Sequence, residues 1–322
     1  GSVNTGNGSQ RYNGAVTLGA SSTTLEAGTG AVTFESTLNT GAAVAAAALT
    51  VNSTGATTFN DAVGNSKALS SLTTNAGGTL ALNGGSVTTT GAQSYGEIAT
   101  LGAHTTLQGV NVAFASSLDS VGATPFSLSV TDSGTTVLGG SVGGLQALSS
   151  LSTDAAGQTH FKGTQVITTG QAEFNDIVKV FNDVAIQTGG DLSFMQTVNG
   201  DVANTRSLQL NAGATGHITV QGAVGGTASL RTLQLINSNT SIFTGLVTTG
   251  TSTVLTGTVD AHVIAFNGGL TTPTLTVAAE PFALTLRGLV SVANGIHLAN
   301  TGDLQLDGTF STSNQPLTLG QA

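Results

Sequence analysis

Apolar and polar residues alternate with a period of two in short runs along the whole chain. Leu80 and Leu82 alternate with Thr79 and Ala81, Ile218 and Val220 with His217 and Thr219, and Leu304 and Leu306 with Asp303 and Gln305. That period marks a strand with one buried face. Each run is only a few residues long. Many follow a turn of Asn, Asp or Thr with Gly, as in AGGTLALNGG after Asn75, AAGQTHFKG after Asp154 and AGATGHITVQG after Asn211. Glycine there permits the left-handed backbone that a β-branched residue resists. The pattern predicts many short strands joined by tight turns. Residues 41–48, GAAVAAAA, are the one helix candidate, and so short a run cannot hold a helix alone. They read as a corner with small side chains.

A longer rhythm lies over the short one. Residues 85–109, GSVTTTGAQSYGEIATLGAHTTLQG, recur near the start of the chain and again from Val166. Tyr12 and Tyr95 hold equivalent places in the first two copies, and Phe174 holds the same place in the third. A second landmark, KALSSL ending at Leu72, returns as QALSSL ending at Leu151 and more weakly as ASLRTL ending at Leu233. These spacings give four copies, approximately 1–84, 85–165, 166–248 and a divergent 249–322. A fixed period signals an array of stacked units. Leu49, Leu72, Leu101, Leu128 and Leu151 mark candidate turn starts, roughly 25 residues apart. Three such turns fill one repeat. The expected fold is therefore all-β, a single right-handed parallel β-helix (β-solenoid) over 1–322, with about three rungs per ~80-residue repeat. On this reading, residues about 80 apart sit three rungs apart on the same face. A sandwich lacks such internal similarity, and a propeller blade needs a longer period. After Leu255 the pattern loosens, and Pro273 and Pro281 enter. Shorter or distorted rungs of the same solenoid are expected there.

Composition narrows the class. Only 7% of residues are charged, against roughly 25% in ordinary soluble domains. No stretch approaches the ~20 apolar residues of a spanning helix, so no membrane insertion is expected. With 39% hydrophobic residues spread evenly, the chain is not of the disordered type. There is no cysteine, which removes disulfides and thiolate metal sites. A net charge of −9 with seven Lys and Arg argues against nucleic acid as a partner. The first residues lack a signal-peptide pattern. Gly1-Ser2-Val3 matches Gly85-Ser86-Val87, and both ends read as cut from a longer array.

The 85–109 copies and the NxxGxLxLxG segments resemble the β-strand repeats of giant bacterial surface proteins, the filamentous-haemagglutinin-like adhesins and autotransporter passengers. The resemblance covers most of the chain and is weak for any ligand. It implies a right-handed parallel β-helix, secretion through an outer-membrane pore, and a stalk or adhesive role at the bacterial cell surface. Neither the secretion domain of the two-partner adhesins nor an autotransporter barrel is recognisable.

Because β-helices also include polysaccharide lyases and hydrolases, a carboxylate site is the chemistry to look for. The densest acidic stretch holds Glu173, Asp176, Asp183 and Asp191 with Lys179 among them; the turn context of FNDIV and FNDVA favours structural caps. The histidines, His104, His160, His217, His262 and His297, form no short metal motif, and His160 and His217 read as outward-facing strand positions. Gly189-Gly190-Asp191 completes no calcium signature, and 139–144 reads as a turn, not a phosphate loop. Tyr12 and Tyr95 read as shared packing residues, with an aromatic platform for sugar as the sharper option. Thr88–Thr90 and Thr248–Thr249 are too sparse for outward ladders; a ladder of Asn or Thr inside the turns is expected instead. No catalytic, metal or cofactor-binding residue is assigned. The expected function is a non-catalytic structural or adhesive segment of a secreted surface protein. Its partners would be itself, through neighbouring repeats or end-to-end subunits, and host-cell or surface glycans. Alternatives are a filament or surface-layer subunit and, less favoured, a carbohydrate-active enzyme.

Overall fold

The computed structural model describes residues 1–256 and 262–319. The described residues are all-β with no helix, and parallel strands stack into a β-solenoid of about 14 turns. No helix is long and apolar enough to cross a membrane among them. The chain divides into two compact units, Gly1–Gly163 and Thr164–Ala322.

In the first unit each turn visits three faces. On the first face the inward residues run Val3, Leu25, Val51, Thr74, Tyr95, Phe114, Leu138 and Phe161, each in register with the next. Tyr12, Phe34, Phe59, Leu82, Leu101 and Ser120 form the second column. Val16, Leu38, Val63, Val87, Leu107, Val130 and Thr153 form the third. Period-two alternation explains why these residues face in, and almost all of the apolar ones are buried. Burial removes apolar area from water at roughly 25 cal/mol per Å². Stacked rings continue the columns: Tyr12 on Phe34 at 4.9 Å, Phe34 on Phe59 at 5.1 Å, and Tyr95 on Phe114 at 4.9 Å. Each such pair is worth roughly 0.5–1.5 kcal/mol beyond its area.

The registers correct two expectations. Turn length varies on the first face, the turn from Tyr95 to Phe114 being the shortest and that from Leu25 to Val51 the longest, and this variation moves both the turn starts and the faces. The steps from Leu49 to Leu72 and from Leu128 to Leu151 are true turns. Leu101 is not the next start after Leu72. Leu72 pairs with Gln93 on the first face, whereas Leu101 pairs with Leu82 on the second. Nor do residues one repeat apart share a face. Val3 reaches Phe161 in seven turns, an average of about 23 residues each. The step from Tyr12 to Tyr95 is therefore about three and two-thirds turns. Tyr12 lies on the second face and Tyr95 on the first. Val63 lies on the third and Val142 on the second. Leu72 lies on the first and Leu151 on the third. The second copy is thus set back by one face from the first.

The second unit has the same three-column build. Phe174, Phe194, Val220, Phe243, Phe266, Leu286 and Leu306 are one column, each in register with the next. Its last two turns, Phe266 to Leu286 and Leu286 to Leu306, are shorter than the three before them, which agrees with the loosened pattern there. Strands lengthen as corners vanish, to Ala283–Val292 and Leu304–Ser311. Leu304 and Leu306 are half-buried, not buried as the alternation predicts. Among the described residues their strand carries its parallel partner, Ala283–Val292, on one side.

Corners are sealed by side chains and by glycine. Residues 41–48 are a corner, as read, and the Lys67 ammonium donates to the carbonyls of Gly41, Ala42 and Val44. Asn83 donates to Asn60, Asn60 donates to Glu35 at 2.8 Å each, and Glu35 pairs with Arg11, so one polar ladder climbs four turns. Gly64 has a φ of 73°, and a Cβ there would meet the Thr88 carbonyl oxygen at 2.2 Å.

Candidate functional site

The acidic stretch does not converge into a reaction centre. Asp176 is buried, while Asp183 and Asp191 lie exposed at corners. Asp183 Oδ1 accepts from the Ser207 backbone N–H at 2.9 Å, and Asp191 Oδ1 from that of His217 at 2.9 Å. Each caps the turn that follows its own. Glu173 and Lys179 are half-buried on strands. The histidines also stay apart. His104 bonds Ser127 at 2.9 Å, His217 and His297 are exposed, His160 is half-buried, and burial pulls the buried His262 down from its ordinary pKa. Among the described residues no group of three His, Cys, Asp or Glu could hold a metal ion.

The tyrosines are packing residues. Tyr95 is fully buried, and burial pushes its phenol far up from the usual value. Its hydroxyl donates to Gln93 Oε1 at 2.8 Å, and Gln93 Nε2 donates to the carbonyls of Gln108 at 2.8 Å and Val87 at 3.2 Å. Tyr12 repeats this with Gln10 at 2.9 Å, and Gln10 Nε2 donates to the Glu26 carbonyl at 2.9 Å. A buried hydroxyl needs such a partner. At the third copy Ala172 and Phe174 replace the glutamine and the tyrosine together. That paired exchange is visible in the sequence once the two positions are read jointly. One threonine of each run turns inward: Thr89 Oγ1 donates to the Gly91 carbonyl at 2.7 Å, and Thr249 bonds Thr272 at 2.7 Å.

A second set of repeat-locked residues escapes a reading by motif. Asn39, Asp119 and Asn199 are evenly spaced, one repeat apart. Each presents Oδ1 to two backbone N–H groups of a corner loop one turn later, those of Ser66 and Lys67, of Leu145 and Gln146, and of Thr227 and Ala228. The loops open on glycines of positive φ, Gly64, Gly143 and Gly225. The signal was the even spacing of side chains too small to draw notice.

The feature with the best geometry for a ligand lies on the second unit. Two adjoining depressions, of about 340 and 400 Å³, share Thr164, Asp183 and Arg231. That size is within the range of small-molecule clefts. The wall is built from ion pairs. Arg231 meets Asp183 at 2.5 Å and donates from Nε to Ser207 Oγ at 3.1 Å. Arg206 grips Asp201 with two bonds, 2.7 and 3.1 Å, and its guanidinium holds the Asp201 carboxyl below the usual range. The floor is an outward column, Ala185, Gln209 and Gln234, one residue per turn, and Gln165 continues the column beyond Ala185. Gln209 Nε2 donates to Gln234 Oε1 at 3.1 Å. Arg206 and Arg231 are two of the chain's seven cations, and they sit one turn apart, the Arg231 N–H donating to the Arg206 carbonyl. That spacing was their only mark in the sequence. A further depression of about 300 Å³ on the first unit is apolar, lined by Val3, Tyr12, Val16, Leu18 and Leu25 at its first turns.

No family model matches the chain, and neither does any curated protein or solved structure.

Proposed function

We propose that the chain is a non-catalytic structural and adhesive segment of a large secreted bacterial surface protein. One observation carries the reading: the residues that define the repeat are spent on stacking. Tyr95, Thr89 and Asp176 are buried, and Asn39, Asp119 and Asn199 bind the backbone of the next turn. A repeat selected for catalysis would hold such residues in a cleft, within reach of a substrate. Stability in a solenoid is a sum over neighbouring turns, which suits a carrier that must resist solvent, protease and load. Seven cationic side chains give trypsin few targets, and Lys67 is engaged with three carbonyls. Haemagglutinin-like adhesins supply the resemblance, and the β-solenoid build supports it.

The test uses beads coated with the chain, held under flow on a surface of immobilised cell-wall or host polysaccharide. Retention without release of reducing ends or unsaturated sugars is expected. Turnover of the polysaccharide, or retention no better than that of albumin-coated beads, would overturn the proposal.

A further inference from the structure

We propose that the Arg231–Gln209 groove of the second unit binds a neutral oligosaccharide. The inference rests on the adhesive reading and adds a ligand class and a place to it.

The groove owes its depth to one small residue. Gln165, Ala185, Gln209 and Gln234 are register neighbours on one outward column, and only alanine leaves space above the sheet. Turn spacing of about 4.8 Å makes that column about 14 Å long, the span of a di- or trisaccharide. The alanine methyl offers an apolar spot to a sugar's C–H face. Around it stand donors and acceptors in pairs. The Gln209–Gln234 bond uses one donor and one acceptor, and leaves a side-chain carbonyl oxygen and amide protons to bond a ligand. Either orientation of the two amides leaves the same set. Arg231 spends Nε on Ser207 and one terminal nitrogen on Asp183, so further guanidinium protons remain for a ligand. Vicinal hydroxyls of a sugar match such side-by-side donors and acceptors.

Charge decides between sugar classes. Asp183 balances Arg231 and Asp201 balances Arg206. The groove therefore offers no surplus positive charge to a uronate or a sulfate. A neutral sugar brings no charge of its own to desolvate. The ion pairs also fix the two planar guanidinium groups before a ligand arrives, which lowers the ordering cost of binding.

The experiment titrates the intact chain with cellotriose, chitotriose and maltotriose, and separately with trigalacturonate, by calorimetry. Binding of at least one neutral trisaccharide is expected, with Kd about 1 mM or tighter. Ala185→Trp should weaken it tenfold or more and leave the melting temperature unchanged, because an outward strand position accepts an aromatic residue. Arg231→Ala should also weaken it. No binding of any neutral probe, binding of trigalacturonate alone, or affinity unchanged by Ala185→Trp would overturn the inference. If the groove is silent while coated beads still hold to their surface, the groove proposal fails and the adhesive reading stands.

Discussion

The turn at Gln93–Tyr95 and the turn at Ala172–Phe174 occupy the same place in successive repeats, yet their interiors differ. The first is a closed polar circuit: a buried phenol, its glutamine acceptor and two backbone carbonyls. The second is apolar, with Phe174 stacked on Phe194 at 5.2 Å. Both arrangements leave both side chains buried. The lesson is that the two repeats keep volume and hydrogen bonding matched together. Neither half of the polar circuit is tolerable alone, because an unmatched buried group costs more than the bond contributes.

Mixing the two solutions should break each site, most severely in the apolar one. Ala172→Gln puts an amide beside Phe174 with no phenol to donate to its oxygen and adds volume to a packed interior. A loss of about 4 kcal/mol is expected by chemical denaturation. Gln93→Ala strands the Tyr95 hydroxyl and leaves a void, for about 3 kcal/mol. The double variant Gln93→Ala/Tyr95→Phe copies the other site and should recover part of that loss. A double-mutant cycle should give a coupling of about 1–2 kcal/mol. Additive effects would show that the circuit does not act as a pair.

Two residues beyond Tyr95 lies a third contrast. Glu97 is almost fully buried, and its Oε2 accepts from the Thr74 hydroxyl. Among the described residues, its Oε1 and the nearby Thr57 hydroxyl make no bond of good geometry. Burial raises its pKa, against smaller opposing effects from Thr74, its own backbone N–H and Thr57. A raised folded-state pKa means the folded chain holds the proton more tightly. Its contribution to stability is therefore full below the ordinary carboxyl pKa and declines as pH rises towards the raised one. Glu97→Gln should stabilise the chain at neutral pH and remove the fall in melting temperature as pH rises above the ordinary carboxyl range. An unchanged pH profile would show that Glu97 is solvated. The smallest effect belongs to the half-buried copy. Gln10→Ala should cost under about 1 kcal/mol, since water can reach the Tyr12 hydroxyl.

The strands were legible in the sequence because alternation sorts side chains into inward and outward at every run. Leu80, Leu82, Ile218 and Val220 face in as that pattern requires. The faces were not legible. Alternation says that Leu72 and Leu101 both point inward, and is silent on which column each joins. Only hydrogen-bond register separates them, and corners that vary freely make turns as unequal as Tyr95 to Phe114 and Leu25 to Val51. A repeat of about 80 residues then looks like three long turns when it is about three and two-thirds ordinary ones. The groove was less legible still. Gln209, Gln234 and Arg231 are distant in sequence from Ala185 and ordinary in type, and their site exists only because the register of successive turns aligns them with it.

The set-back of the second repeat by one face is the claim most directly open to measurement, and a chain without cysteine makes it simple. Ser94 faces outward beside Ala113, its register neighbour one turn on. Parallel register neighbours lie within the roughly 4.4–6.8 Å Cα range of a disulfide. Had each repeat been three equal turns of about 27 residues, Ser94 would neighbour Val121 instead. Two double-cysteine variants, Ser94→Cys/Ala113→Cys and Ser94→Cys/Val121→Cys, are oxidised mildly and their free thiols counted. The register predicts a rapid crosslink in the first and free thiols in the second. A crosslink in the second with free thiols in the first would contradict it.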